Sequence, residues 1–300
     1  MGASVSVIIP THRRKIELLR RAVFSVLDQT YKNIEIVIVD DNYGEKLEQF
    51  RNATISFVED ALKTNKNIKL VLNKTNLGGA LSRNAGVTAS SSDYITFLDD
   101  DDVFLPKKVE HQLDYMLESG VNVSFTDLSI FNEKDKLIDK RSRQDLKSMD
   151  KDYLLKYHII KNLTGTETFM FKREIFEKVN GFDDVRVGHE FYLIYKLLIL
   201  PESEFGYCPF DDIKAYRTSE ESISNGPEKI KGERITYKFK KQFFNKLSLK
   251  ERRYLRCRFR AVLSVSYKRR KNYFMSIVYL FLAFMTDPII SIKEALKLKK

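Results

Sequence analysis

The stretch YITFLDDDD (residues 94–102) decides the fold. Tyr94 to Leu98 form a nearly continuous apolar run that reads as a strand buried on both faces, and four aspartates follow it without a spacer. Two earlier stretches end the same way, with SVSVIIP (4–10) running into Thr11 and IEIVIVDD (34–41) closing on Asp40 and Asp41. Between these strands apolar residues recur at helical spacing, as at Ile16, Leu19, Val23, Val26 and Leu27. The pattern further predicts a helix over roughly 44–64, a strand over 68–72 and a helix over 79–89 entered through Gly78-Gly79. It also places Pro106 in a first helical turn ahead of Val109, Leu113 and Met116, a strand over 121–131 and an apolar helix over 191–200. Such alternation predicts an α/β fold with a mixed, largely parallel sheet flanked by helices, in which ligands collect outside the carboxyl ends of the strands. Neither GxGxxG nor GxxxxGK[ST] is present, so the dinucleotide fingerprint and the P-loop are both missing.

Of the 300 residues 43% are hydrophobic and 31% charged, which fits a globular chain and excludes wholesale disorder. Two cysteines exclude a disulfide-stapled scaffold and a four-cysteine zinc site. At the N-terminus the basic residues follow the apolar run rather than precede it, the reverse of a signal peptide, so retention in the cytoplasm is expected. The net charge of +11 is unevenly spread: residues 226–300 hold 21 of the 52 Lys and Arg and 5 of the 41 Asp and Glu, a net of +16 against −5 for residues 1–225. The expected organisation is a catalytic body over 1–225 and a basic, amphipathic helical tail over 226–300.

Four adjacent carboxylates repel one another, and a hard divalent cation with oxygen ligands, Mn²⁺ or Mg²⁺, relieves that repulsion while bridging to phosphates. The plainer reading is a solvated acidic turn in which Asp102 caps the helix after Pro106.

The chain resembles glycosyltransferases of family 2, inverting enzymes of the GT-A (Rossmann-like) fold that use nucleotide-diphosphate sugars. The resemblance is carried in order by VSVIIPTHRR (5–14), LRRAVFSVLDQTYKNIEIVIVDDN (19–42), NLGGALSRNAG (76–86), DYITFLDDDDVFLP (93–106), TETFMFKREIFEKVNGFDD (166–184) with GHEFYLIYKL (188–197), and YRTSEESIS (216–224). It implies that Asp41 accepts from the uracil ring N–H, with a helix N-cap as the simpler alternative. It implies that Pro10 and Thr11 line the nucleoside pocket, and that Arg83 lies near the nucleotide rather than in a surface ion pair. Asp99-x-Asp101 matches the family's Asp-x-Asp, so Asp99 and Asp100 are expected at the nucleotide sugar and Asp101, with Asp99, at the metal.

The sequence departs from the family pattern at the base. The family's catalytic aspartate is replaced by Glu190, whose extra methylene lengthens the reach, and His189 is a rival base with a pKa nearer neutrality. The simplest alternative makes 188–190 a polar loop. Where the family often has a histidine before Ser-x-Ser, Ser219 stands here, so metal affinity rests on Asp101, diphosphate and water. The Gln-x-x-Arg-Trp motif of processive synthases is absent, and the chain has no tryptophan.

In the tail, YFMSIVYLFLAFMTDPII (273–290) follows Lys268 to Lys271. The run is at the lower limit for a span, and it reads as one or two helices in the interface of an anionic membrane. The alternatives are a helix packed on the body, a short transmembrane hairpin or, least of all, a nucleic-acid-binding tail. The expected function is non-processive transfer of one hexose, glucose or galactose, from a UDP-sugar to a polyprenyl-diphosphate-linked saccharide. The expected setting is the cytoplasmic membrane face, as a peripheral protein in O-antigen or capsule synthesis. Its rivals are a catalytically inactive membrane scaffold and a sugar nucleotidyltransferase; the latter needs a glycine-rich basic loop after the first strand, which Pro10-Thr11-His12 is not.

Overall fold

The computed structural model describes residues 2–217 and 227–297; Ser219 and most of the 216–224 motif lie outside them. The chain divides into two compact units, the first made of residues 1–154, 163–184 and 189–217 and the second of 155–162, 185–188 and 218–300.

The first unit opens with β1 (Val5–Thr11), α1 (Ile16–Leu27), β2 (Ile34–Asp40), α2 (Glu48–Leu62), β3 (Ile68–Leu72), α3 (Gly78–Ala89) and β4 (Tyr94–Phe97). It continues through β5 (Val103–Phe104), α4 (Lys108–Ser119), β6 (Val123–Thr126), β7 (Leu128–Asn132) and β8 (Leu137–Arg141). After α5 (Lys151–Lys161), which runs into the second unit, come β9 (Phe169–Lys172), α6 (Arg173–Lys178), α7 (His189–Ile199), β10 (Phe205–Cys208) and β11 (Ile213–Arg217). Seven strands form the central sheet in the order β10-β6-β9-β4-β1-β2-β3, and β9 alone runs antiparallel to its neighbours. The fold is therefore the expected mixed, largely parallel α/β sheet. A second sheet has the order β5-β11-β7-β8.

Strand order explains where a site forms. The chain winds from β1 through β2 to β3, then returns to place β4 on the other side of β1, so the crevice at the carboxyl ends of β1 and β4 is a topological switch point. α3 lies tight on this region because Gly86 has no side chain: a Cβ there would sit 2.3 Å from Ile8 Cγ2 and 2.9 Å from Val39 Cγ2.

Several local expectations are corrected. The predicted strand over 121–131 is two strands in two sheets, broken at Asp127, whose buried carboxylate accepts from Arg143 N at 2.9 Å and Tyr207 Oη at 2.7 Å. Pro106 stands before α4 rather than in its first turn. Asp102 does not cap α4; its buried carboxylate accepts from Tyr216 N at 2.7 Å and so ties the acidic run to β11. The helix predicted over 44–64 is a short 3₁₀ turn, Glu45–Leu47, followed by α2.

Beneath the acidic run, Lys108 is fully enclosed, with Nζ donating to Thr96 Oγ1 of β4 at 2.7 Å and lying 4.2 Å from the Phe104 ring centroid. Burial pulls its pKa down to about 7. Between that value and the ordinary 10.5 the unfolded chain holds a proton that the folded chain does not, so this group makes stability rise with pH across the window. Lys108→Met should flatten that rise, by up to about 1.4 kcal/mol per pH unit. Denaturant melts of both proteins at about pH 7.5 and pH 9 check it; a parallel rise in both rules out Lys108 as the source.

In the second unit α8 (Pro227–Lys241), α9 (Leu249–Arg269), α10 (Tyr273–Thr286) and α11 (Pro288–Lys297) form a helical array. Ser248 begins α9 with a reciprocal capping box to Glu251. α10 and α9 meet through small residues: Ala261 and Ala283 are buried together, and Ser264 Oγ donates to the Ser276 carbonyl at 2.8 Å. The large side chains of α10 are left outside, with Phe274 76%, Ile277 67%, Phe281 60% and Met285 66% exposed. Asp287 ends α10 and accepts from Ile290 N at 3.0 Å as α11 begins, so the 273–290 run is two short helices. Among the described residues no helix is long and apolar enough to cross a membrane.

Candidate active site

The carboxyl ends of β1 and β4 are adjacent in the sheet, and extending their register sets Thr11 beside Asp100. The Thr11 hydroxyl bonds the Asp100 carboxylate, so it is already engaged within the protein, while Pro10 stays partly exposed beside it. Arg14, just past β1, reaches both central aspartates, with Nε 2.8 Å from Asp100 Oδ1 and Nη1 3.0 Å from Asp101 Oδ2. Arg21 of α1 stacks 3.9 Å from the Tyr216 ring centroid and donates from Nη2 to the Asp101 carbonyl at 2.6 Å. The acidic run is thus a braced loop and not a solvated turn.

Burial and the charges of Asp100 and Asp99 push the Asp101 carboxyl up to about 7, and burial followed by the Asp99 charge holds Asp102 well above the usual carboxylate range. Burial is the larger cause of both shifts, and the neighbouring carboxylates add to it. All the donors here are hard oxygens, which fit Mg²⁺ or Mn²⁺. Among the described residues no group of three His, Cys, Asp or Glu is assembled to hold an ion. The acidic run thus supplies oxygen atoms of the right hardness but no protein cage around them, and the Asp101 carboxylate is shared with Arg14.

Asp41 follows β2, and its carboxylate accepts from Asn73 Nδ2 at 2.7 Å, Leu77 N at 2.8 Å and Gly78 N at 2.8 Å. It satisfies the first amides of α3, a helix far along the chain, rather than capping the helix that follows it. Three donors on two carboxylate oxygens leave one acceptor position on Oδ2. Asp40 is turned inward to Asn42 and Arg51.

Arg83 projects from α3 into the crevice and is 5% exposed, so its ion pair with Asp99 is not a surface pair. Its Nη1 lies 3.0 Å from His189 Nε2. The guanidinium is a permanent donor, so His189 Nε2 is the acceptor and the ring proton sits on Nδ1. Burial, then the Arg83 charge, lowers the His189 pKa, keeping the ring neutral. Glu190 stands in the first turn of α7, with Oε2 4.0 Å from His189 Nε2. The 189–190 pair is therefore helical and not a polar loop, and its place is set by Phe182, whose ring meets His189 at 5.4 Å and Phe97 at 5.2 Å.

The structure brings together Thr11, Asp99, Asp100, Asp101, Arg83, His189 and Glu190. Sequence reasoning missed Arg14 and Arg21, which brace the acidic run; Arg14 was discoverable as a cation just past a strand end that faces carboxylates.

An α/β sheet with an acidic loop at its switch point, a buried arginine and a carboxylate at the start of a helix is the arrangement that the resemblance to family 2 glycosyltransferases implies. The model of the family described as Glycosyl transferase family 2 matches residues 6–179, more than half of the chain, and the chain belongs to that family. An uncharacterized glycosyltransferase of Haemophilus influenzae is 34% identical over 129 residues, covering 41% of this chain and 48% of its own. TuaG of Bacillus subtilis, named for teichuronic acid biosynthesis, is 32% identical over 170 residues, covering 57% and 62%. The chain thus spans about half the length of the first of these relatives. Among solved structures, residues 1–349 of TarS from S. aureus in complex with UDP-GlcNAc superpose with a TM-score of 0.59 at 14% identity, covering 92% of this chain and 90% of that one, a likeness of fold.

Proposed function

We propose that the protein is an inverting, non-processive glycosyltransferase that moves one hexose from a UDP-sugar to a hydroxyl of a polyprenyl-diphosphate-linked saccharide. The observation that carries this reading is the convergence of Asp99, Asp100, Asp101, Arg83 and Glu190 at the switch point of a family 2 chain. The TarS structures with UDP-GlcNAc and UDP support a nucleotide-diphosphate donor, and the name of TuaG supports a role in surface polysaccharide synthesis.

Asp41 has one acceptor position for the uracil imide N–H, beside Pro10 and Thr11. Asp99 and Asp100 hold the nucleotide sugar, and Arg83 offers its guanidinium to the diphosphate. Asp101, with Asp99, would hold Mn²⁺ or Mg²⁺, and the ion would supply positive charge to offset that of the departing diphosphate. Glu190 takes the proton of the acceptor hydroxyl on the face opposite the leaving group, and that opposition makes the transfer inverting. His189 is less suited, because its Nε2 lone pair already accepts from Arg83. UDP release should appear when the full chain is given UDP-glucose or UDP-galactose, Mn²⁺ and a polyprenyl-diphosphate GlcNAc acceptor. Absence of both UDP binding and UDP release with every UDP-hexose overturns the reading.

The body over 1–225 is read as catalytic and 226–300 as a peripheral anchor on the cytoplasmic membrane face. The outward apolar side chains of α10, next to exposed Lys268 to Lys271, support an anionic lipid surface over nucleic acid. Phe274→Ser with Phe281→Ser should cut binding to anionic vesicles by about tenfold or more, since each buried aromatic contributes roughly 1.5–3 kcal/mol. Vesicle flotation measures it, and unchanged flotation removes the anchor reading.

A further inference from the structure

Opposite the aspartate run lies a polar group that the mechanism above leaves unused, the TGTET turn (residues 164–168). β9 pairs antiparallel with β4, with Thr96 opposite Met170; the same register carried past the strand ends sets Glu167 opposite Asp99. Thr164, Thr166, Glu167 and Thr168 are all buried. The turn is held by Thr168, whose hydroxyl donates to the Gly165 carbonyl at 2.8 Å. Glu167 folds its carboxylate back over Gly165: a Cβ on that glycine would lie 2.6 Å from Oε1 and 2.8 Å from Oε2. Glycine is therefore required at 165 for the carboxylate to occupy this place.

Burial, then the Asp99 charge, pushes the Glu167 carboxyl up to about 7 against the pull of Arg141 and Arg83, and Glu167 also interacts electrostatically with Asp102 and Lys108. Among the described residues, two buried donors of this region lack a partner: Oγ1 of Thr164, a residue 8% exposed, and Nε of Arg83, whose Nη2 pairs with Asp99. Buried polar atoms of this kind are costly to leave unpaired, and natural proteins rarely do so without a use. A buried carboxylate in the same turn as an unpaired hydroxyl, and within the field of the guanidinium that carries the unpaired N–H, offers the mixed donors and acceptors that a pyranose ring needs. The diphosphate site at Asp99 to Asp101 is directly across the strand end, and the sugar attached to a diphosphate there is the nearest polyol.

We propose that Glu167, with Thr164 and the Arg83 Nε–H, reads hydroxyl groups of the sugar being transferred and so determines donor specificity. The inference deepens the UDP-hexose reading and rests on it. Two hydroxyls donate to the Glu167 carboxylate, while Thr164 and Arg83 donate to ring or hydroxyl oxygens. A site that hydrogen-bonds a substrate hydroxyl discriminates strongly against the analogue lacking it.

The test uses the full chain, with calorimetric binding of UDP and of UDP-hexoses, including donors deoxygenated at single ring positions. Glu167→Gln should leave UDP affinity within about twofold and weaken the preferred UDP-hexose by roughly 10–100-fold, the range of a charge-assisted hydrogen bond. That loss should vanish for the donor lacking the hydroxyl that Glu167 reads. Thr164→Val, which keeps shape and carboxylate, should weaken the same UDP-hexose by about fivefold with UDP unchanged, and it carries the test if Glu167→Gln does not fold. Wild-type hexose discrimination in both variants, or equal losses for UDP and every UDP-hexose, overturns the proposal while leaving the UDP-sugar reading intact. A wild-type chain that binds neither UDP nor any UDP-hexose overturns both.

Discussion

Glu190→Gln should bind UDP-sugar as the wild type does and transfer it poorly, with kcat expected to fall by about 10²–10⁴-fold, the usual cost of losing a general base. The amide is nearly isosteric, so α7 keeps its first turn, but it cannot accept the acceptor proton. The geometry sharpens the comparison with His189. Its Nε2 accepts from Arg83 at 3.0 Å, and burial with the Arg83 charge depresses its pKa, so the ring is neutral and that nitrogen is occupied. His189→Ala should therefore disturb Arg83 and raise the donor KM more than it lowers kcat. Glu190→Asp should retain part of the rate, because the carboxylate survives with a reach shorter by one methylene. Steady-state kinetics with a saturating soluble acceptor separate these cases. A severe kcat loss in His189→Ala beside a mild one in Glu190→Gln makes histidine the base.

Asp101→Asn should keep the fold and lose about a hundredfold in transfer rate, on the order of 3 kcal/mol, the effect of removing one electrostatic contact to the leaving group. The fold should survive because Arg21 grips the backbone carbonyl of residue 101, and Arg14, which loses its ion pair to the 101 side chain, keeps the one to Asp100. The substitution also removes one of several crowded carboxylates, so unfolding should not become easier. Turnover measured across a Mn²⁺ titration checks the role: the loss should be deepest at low Mn²⁺, while wild-type rates at both low and saturating Mn²⁺ contradict it.

Much of this molecule is determined locally. The runs at 5–10, 34–39 and 94–98 are mostly apolar, so they become central strands, and Thr11, Asp40, Asp41 and Asp99 to Asp102 after them fall at the carboxyl ends of those strands. Their order, with Arg83 and Glu190 in family spacing, made the family legible before any contact was known. The charge division between 1–225 and 226–300 is likewise a property of composition alone.

Other features belong to the tertiary structure, because a local pattern states what a side chain needs without naming its partner. Asp41 needs donors, and only the placement of α3 supplies Leu77 and Gly78, 36 and 37 residues away. Asp102 resembles a helix cap in sequence, yet strand pairing brings Tyr216 N to it from 114 residues distant. The stretch 121–131 has one continuous pattern, and the break at Asp127 appears only when Arg143 and Tyr207 arrive as donors. In α10 nearly every residue is apolar, so periodicity cannot choose a buried face; close helix contact chooses it, turning Ser276 and Ala283 inward because only small side chains let α9 approach, and leaving the aromatic residues outside.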